Sequence, residues 1–171
     1  MINNKNKRGI SIMIGYILLV TGAIVMGSIV YQWMKTYVPA DSLTCPDGIS
    51  IYLSEFECSG TSLNITLKNN GRFNVAGYFI HGANQPDQEL ATIDLSSYFD
   101  IGQGIIVEHA VLFALSNENT LNINEDKTDR YIFNETIYSI AITPIIFSKD
   151  KNDKTRMVSC TNSRIKEELL C

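Results

Sequence analysis

The sequence predicts an N-terminal hydrophobic α-helix followed by an all-β antiparallel domain, a sandwich or a barrel-like sheet. Three observations carry that expectation. From Ile10 to Met34 there are 25 residues without a charge. Beyond Pro39 apolar and polar residues alternate, the two-residue period of a half-buried strand. Turn-forming Asn, Gly, Asp and Ser separate the alternating runs, and no later stretch has the pattern of an internal amphipathic helix.

The helix comes first. Its 25 residues extend roughly 37 Å, more than the roughly 30 Å hydrocarbon core of a bilayer. A cleavable secretory segment has only about 7 to 15 apolar residues and a small-residue cut site after them, and no such site follows Met34. A helix buried in a globular core rarely has this length without a polar stripe. Lys5, Lys7 and Arg8 precede the stretch, and a basic flank stays on the cytoplasmic side, which places the remainder outside. Gly15 and Gly22 are seven residues apart and fall nearly on one face. Ala23 and Gly27 form a small-xxx-small pair beside them, with Ser28 adjacent. Small residues let helix backbones approach closely, although glycine also occurs freely in solitary membrane helices. Tyr31, Trp33 and Tyr37 suit the far interface, with apolar rings and polar tips. Pro39 is expected to stop the helix and to push Val38 into an extended conformation.

The chain has 171 residues and a formal charge of -4, which leaves enough length beyond the helix for one compact domain. Lys5, Lys7 and Arg8 supply three positive charges and residues 1–9 no negative one, so the rest of the chain stands near -7. An acidic domain without a basic stripe is a poor partner for nucleic acid.

KRG followed at once by ISIMIGYILLVTGAIVMGSIVYQWM, residues 7–34, resembles the start of an archaeal type IV pilin or of an archaellin-like relative. The resemblance implies that residues 1–9 are a basic leader cut by a prepilin peptidase, a membrane aspartyl peptidase, at the Gly9–Ile10 bond. Residues 10–38 then stay in the mature protein as a transmembrane helix, held first in membrane lipid and later in the core of a homo-oligomeric or mixed pilin filament. Bacterial type IV pilins usually carry Glu at the fifth mature position; the matching residue here is Ile14, which agrees better with the archaeal pattern. Implied with this are a structural role in a type IV surface filament at the cell surface and attachment to surfaces or cells. The competing reading is a single-pass membrane-anchored extracellular β-domain that binds a partner. The Gly9 junction separates the two, because a filament subunit needs that bond open to the peptidase.

Residues 39–171 are expected to form the extracellular β-domain. Residues 49–58 place Ile49, Ile51 and Leu53 on one face, and residues 62–67 alternate Leu63, Ile65 and Leu67 with polar neighbours. Ser59-Gly60-Thr61 joins them as a hairpin. Asn69-Asn70-Gly71 is a further turn, since Asn and Gly tolerate positive φ. Residues 75–82 continue as a strand, 82–89 as a loop, 90–95 as a short strand and 97–104 as a link. Residues 105–115 favour a strand, 116–130 are loop-like with NTLNI able to pair at an edge, and 136–147 give the strongest late strand signal. Pro144 lacks a donor, so that strand should have an edge or a bulge there. A charged turn over 148–154 returns the chain in TRMVSC, and RIKEELLC ends as a short helical turn. Seven or so short strands suggest a sandwich. The order of Cys45, strand, Cys58, LNITLKNNG and VAGYFI also resembles the outer domains of archaeal pilins, which are antiparallel sandwiches or barrels.

All four cysteines, Cys45, Cys58, Cys160 and Cys171, follow the apolar segment and allow three pairings. The local pairs Cys45–Cys58 and Cys160–Cys171 are preferred; pairing Cys45 with Cys160 or Cys171 would instead tie the first strand to the last. Metal binding and free thiols remain open, although spacings of 13 and 11 residues lack the close Cys pair of a zinc site. Asn64-Ile-Thr66 and Asn134-Glu-Thr136 are acceptor sequons for glycosylation. Nothing points to an enzyme or a cofactor: there is no HExxH, no GxSxG and no phosphate-binding glycine loop, and His81 and His109 need not meet. Glu125, Asp126 and Asp129 are read as a solvated acidic loop, without the spacing of a calcium site.

Overall fold

The computed structural model describes residues 6–37 and 43–169, and the chain divides into two compact units, Met1–Ser42 and Leu43–Cys171. The described residues of the first unit form one helix, α1 (Asn6–Tyr37). Its interior is built from straight-chain and β-branched apolar residues, with no proline to break it. Pro39 and Val38, expected to end it, lie outside the described residues.

The second unit is the expected all-β antiparallel domain. The chain enters β1 (Ile51–Ser59) and turns through Gly60, at φ 61°, into β2 (Ser62–Asn69). β2 continues the expected alternation, burying Leu63, Ile65, Leu67 and Asn69. β3 (Gly77–Ala83) and β4 (Ile93–Asp94) follow. A single 3-10 turn over Ser96–Tyr98 then leads to β5 (Phe99–Gly102), where the sequence suggested only a link. The apolar run 105–115, expected as one strand, is a hairpin of β6 (Ile105–Val107) and β7 (Ala110–Leu112). It reverses at Glu108, whose φ of 55° places it in the left-handed region. β8 (Asp126–Ile132) occupies residues expected to be a loop. β9 (Ser139–Lys149) and β10 (Thr155–Ser159) form the late hairpin. Finally β11 (Ile165–Glu168) pairs antiparallel with β9, so the expected C-terminal helical turn is a strand instead. Edge pairing with β9 and the packing of Ile165 against the core outweigh the weak helical preference of KEE.

The strands make two antiparallel sheets. One has the order β1-β2-β8-β5; the other has β10-β9-β3-β7-β6, with β11 also on β9 and β4 on β3. Leu63, Ile65, Leu67 and Tyr131 of the first sheet and Tyr78, Ile80, Ile140 and Ile142 of the second belong to one buried cluster. A smaller cluster of Ala76, Ala110, Leu112 and Ile145 forms separately. β9 takes part in both, which explains why it is almost continuously apolar rather than alternating.

Pro144 is where its missing donor is harmless. It pairs with Tyr78 of β3, while its carbonyl accepts a 2.8 Å bond from the Cys160 N–H on the other side. That other side falls between β10, whose register reaches Ile145, and β11, whose register starts at Ile142. The strand thus meets its expected break in the pairing without being an edge strand. At Asn69-Asn70-Gly71 the turn is present but positive φ is not its basis. The Asn69 Oδ1 accepts from the Gly71 N–H at 2.9 Å, and a Cβ at Gly71 would come within 2.6 Å of the Ser50 nitrogen. Close backbone approach, not left-handed φ, requires the glycine.

Candidate functional site

The feature of α1 that bears on function is its surface. Ile12–Thr36 is long and apolar enough to cross a membrane, with a mean hydropathy of 2.2, and its residues are exposed throughout. Its threonine and serine hydroxyls bond within the helix: Thr21 donates to the Ile17 carbonyl at 2.8 Å, and Ser28 to the Val25 carbonyl at 2.8 Å. Back-bonding of this kind removes the cost of carrying a hydroxyl into hydrocarbon. Lys35 lies 5.0 Å from the Tyr31 ring centroid, a cation–aromatic contact at the end where the charge-free run stops. Gly15, Gly22 and Gly27 each face open space. At about 100° per residue, Gly15 and Gly22 fall on one line, and Ala23 and Gly27 on a second, about a third of a turn away. Gly9 and Ile10 lie inside α1, whose backbone begins at Asn6.

In the β-domain, the cysteines do not pair locally. Cys45 is bonded to Cys160 across 115 residues, with their Cα atoms 5.2 Å apart. This overturns the preferred Cys45–Cys58 and Cys160–Cys171 arrangement. The segment before β1 is held beside the one after β10, as the 2.7 Å bond from the Ser163 hydroxyl to the Ile49 carbonyl also shows. A pairing set by the sheet order is invisible to sequence spacing. Cys58 is disulfide-bonded as well; Cys171 lies outside the described residues. The two sequons differ in setting. Asn134 is exposed in the bend between β8 and β9. Asn64 is in β2, flanked by Glu57 and Arg130 on the adjacent strands, and the Thr66 hydroxyl is 3.1 Å from that of Thr128.

The histidines are closer than the sequence suggested. His81 pairs across the sheet with Asp94, and the His109 Nδ1 is 2.6 Å from the Asp94 Oδ2. Partial burial pushes the Asp94 pKa up, but bonds from Ser96 and the His109 contact outweigh it and hold the carboxyl below its ordinary range. Among the described residues no group of three or more His, Cys, Asp or Glu side chains is placed to hold a metal.

Of the acidic residues read as a solvated loop, Asp126 is exposed and Glu125 half-buried, but Asp129 is not solvated. Asp129 is buried in β8 between the sheets. Its Oδ2 accepts from the Tyr78 hydroxyl at 2.6 Å and its Oδ1 from the Gly104 N–H at 2.8 Å, while the Tyr78 and Tyr131 hydroxyls are 2.8 Å apart. A Cβ at Gly102 would stand 2.1 Å from that Oδ1, so the loop can wrap the carboxyl only with glycine there. Burial first, then Tyr131 and Asp129 beside it, raise the Tyr78 pKa well above normal; burial does the same for Tyr131. A raised folded pKa gives stability that is complete below the unfolded value, about pH 10, and is lost as pH rises towards the folded one. In an alkaline ultraviolet titration, Tyr78 and Tyr131 are therefore expected to ionise only as the domain unfolds. The Tyr78→Phe/Tyr131→Phe variant tests this. A smaller first step of tyrosine ionisation than in the parent would contradict the burial assignment.

No family model, curated protein or solved structure matches this chain.

Proposed function

We propose that this chain is a single-pass, membrane-anchored surface protein whose β-domain stands outside the cell. The observation that carries this reading is the exposed apolar helix Ile12–Thr36, joined to a separate compact β unit. Two features support the orientation. The basic residues Lys5, Lys7 and Arg8 precede the apolar stretch of the helix, and the Cys45–Cys160 bond requires an oxidising space. The test is fractionation and surface labelling in the native host. The full chain should resist carbonate extraction, and its β-domain should be cut by external protease in intact cells. Protection of the β-domain in intact cells would defeat the orientation.

A second reading, a filament subunit of the type IV pilin kind, is favoured by one specific observation: small residues on two lines of a helix whose surface is open. A lone anchor has no need of them; a helix packed among several copies does. In this reading a prepilin peptidase cuts Gly9–Ile10, and the mature chain starts at Ile10. Intact mass of protein from its own host should show that start, and Gly9→Trp should abolish it and leave the precursor in the membrane. A mature start at Met1, or a cut beyond Met34, excludes the reading. Gly22→Leu should still insert and be cleaved, because leucine is accepted in membrane helices. It should reduce sheared filaments at least tenfold through overpacking. Normal filament yield would remove close packing at this face.

A further inference from the structure

We infer that the solvent face of the sheet β1-β2-β8-β5 is a binding groove for a neutral oligosaccharide. The inference stands whether the chain polymerises or remains a lone anchored subunit. The face bounds an open groove of about 520 Å3, within the range of about 300–1,000 Å3 typical of ligand sites. One cross-strand row crosses it. Glu57 of β1 pairs with Asn64 of β2, Asn64 with Arg130 of β8, and Arg130 with Ile101 of β5. With strands about 4.8 Å apart, that row is long enough for several linked sugar rings rather than a single small molecule.

The residue types decide the chemistry. Carboxylate, amide and guanidinium are planar groups with two donors or acceptors side by side, and adjacent hydroxyls on a sugar ring present the matching pair. Arg130 is held for this by Asp100, which takes the Nε at 2.8 Å and an Nη as well, so it loses little freedom on binding. Apolar surface flanks one end of the polar row: Ile101, paired with Arg130, is 63 % exposed and lines the groove. That apolar edge suits the C–H face of a sugar ring. The charges disfavour a polyanion: Arg130 is already paired with Asp100, and Glu57 stands beside the amide. Glu55, also lining the groove, makes a polycation the nearer competitor.

The test uses the full chain in phosphocholine micelles, which carry no sugar head group, made in a host that adds no N-glycan to Asn64. Saturation-transfer NMR with maltohexaose, cellohexaose and chitohexaose should show saturable binding of at least one. Glu57→Gln and Arg130→Met should each weaken that binding about tenfold, and Ile101→Ser should weaken it too. Near-UV circular dichroism should be unchanged, since these side chains lie on the solvent face. The inference is overturned if none of the three sugars binds saturably, if the variants bind as the parent does, or if hexalysine binds and displaces the sugar.

Discussion

Replacing Cys45 and Cys160 together by alanine is expected to lower the stability of the β-domain by about 4 kcal/mol. The size follows from loop closure. Because Cys58 is cross-linked as well, the bond closes a loop shorter than its separation of 115 residues, and its contribution lies between about 3 kcal/mol for a 15-residue loop and about 4.7 kcal/mol for a 100-residue one in the chain-entropy treatment. Cys160 is also fully buried against the main core, so its removal loses packing as well. With a urea slope of about 2 kcal/mol per molar, the midpoint should fall by about 2 M. Urea unfolding of the full chain in micelles can be followed by tyrosine circular dichroism, because the single tryptophan, Trp33, lies in α1 and not in the β-domain. A midpoint shift below about 0.5 M would show that the link closes no significant freedom. Non-reducing peptide mapping of the parent should recover the Cys45–Cys160 link.

Asp129→Ala is the second large effect expected, a loss of about 3 kcal/mol. The substitution strips an acceptor from the buried Tyr78 hydroxyl and another from the Gly104 N–H, and each buried donor left short costs about 1–3 kcal/mol. Tyr78→Phe should cost about 2 kcal/mol, because it removes a hydrogen bond to a carboxyl group between the two sheets. The two changes touch one network, so the double variant should lose less than the sum of the single losses, by at least about 1 kcal/mol. Losses that add within about 0.5 kcal/mol would mean that the groups act independently. The physical content is that Asp129 joins three parts of the domain: β8 of one sheet, β3 of the other, and the Gly102–Gly104 stretch connecting β5 to β6.

What could be read in the sequence depended on whether a residue's chemistry matched its position. The charge-free run declared α1, and the alternation of Leu63, Ile65 and Leu67 declared β2, because apolar side chains occupy the inward positions. β8 alternates equally well in burial, with Asp129 and Tyr131 inward, but an inward carboxyl looks like loop chemistry until Tyr78 is known to face it. The 105–115 run concealed a reversal because Glu108 adopts a left-handed conformation without glycine to signal it. The disulfide depended on which strands end up adjacent, and two local pairs were the simpler guess. Of the proposed groove, the sequence marks only Asn64 and Thr66, as a sequon. Glu57, Arg130 and Ile101 come from separate strands and share no local motif.

The Cys45–Cys160 bond also sets how the domain responds to a pull. In the anchored reading proposed above, a pull on the two ends of the β-domain loads the chain between them, and without the cross-link that load would fall on the strands between the two cysteines. With the bond intact, tension between residue 43 and residue 169 passes through the sulfur bridge and bypasses every strand from β1 to β10. Only the short ends outside the bridge can extend. The strands behind it are shielded from a load along that line, whereas a pull applied through the face that carries Glu57, Asn64 and Arg130 enters inside the bridge and is borne by the sheet itself.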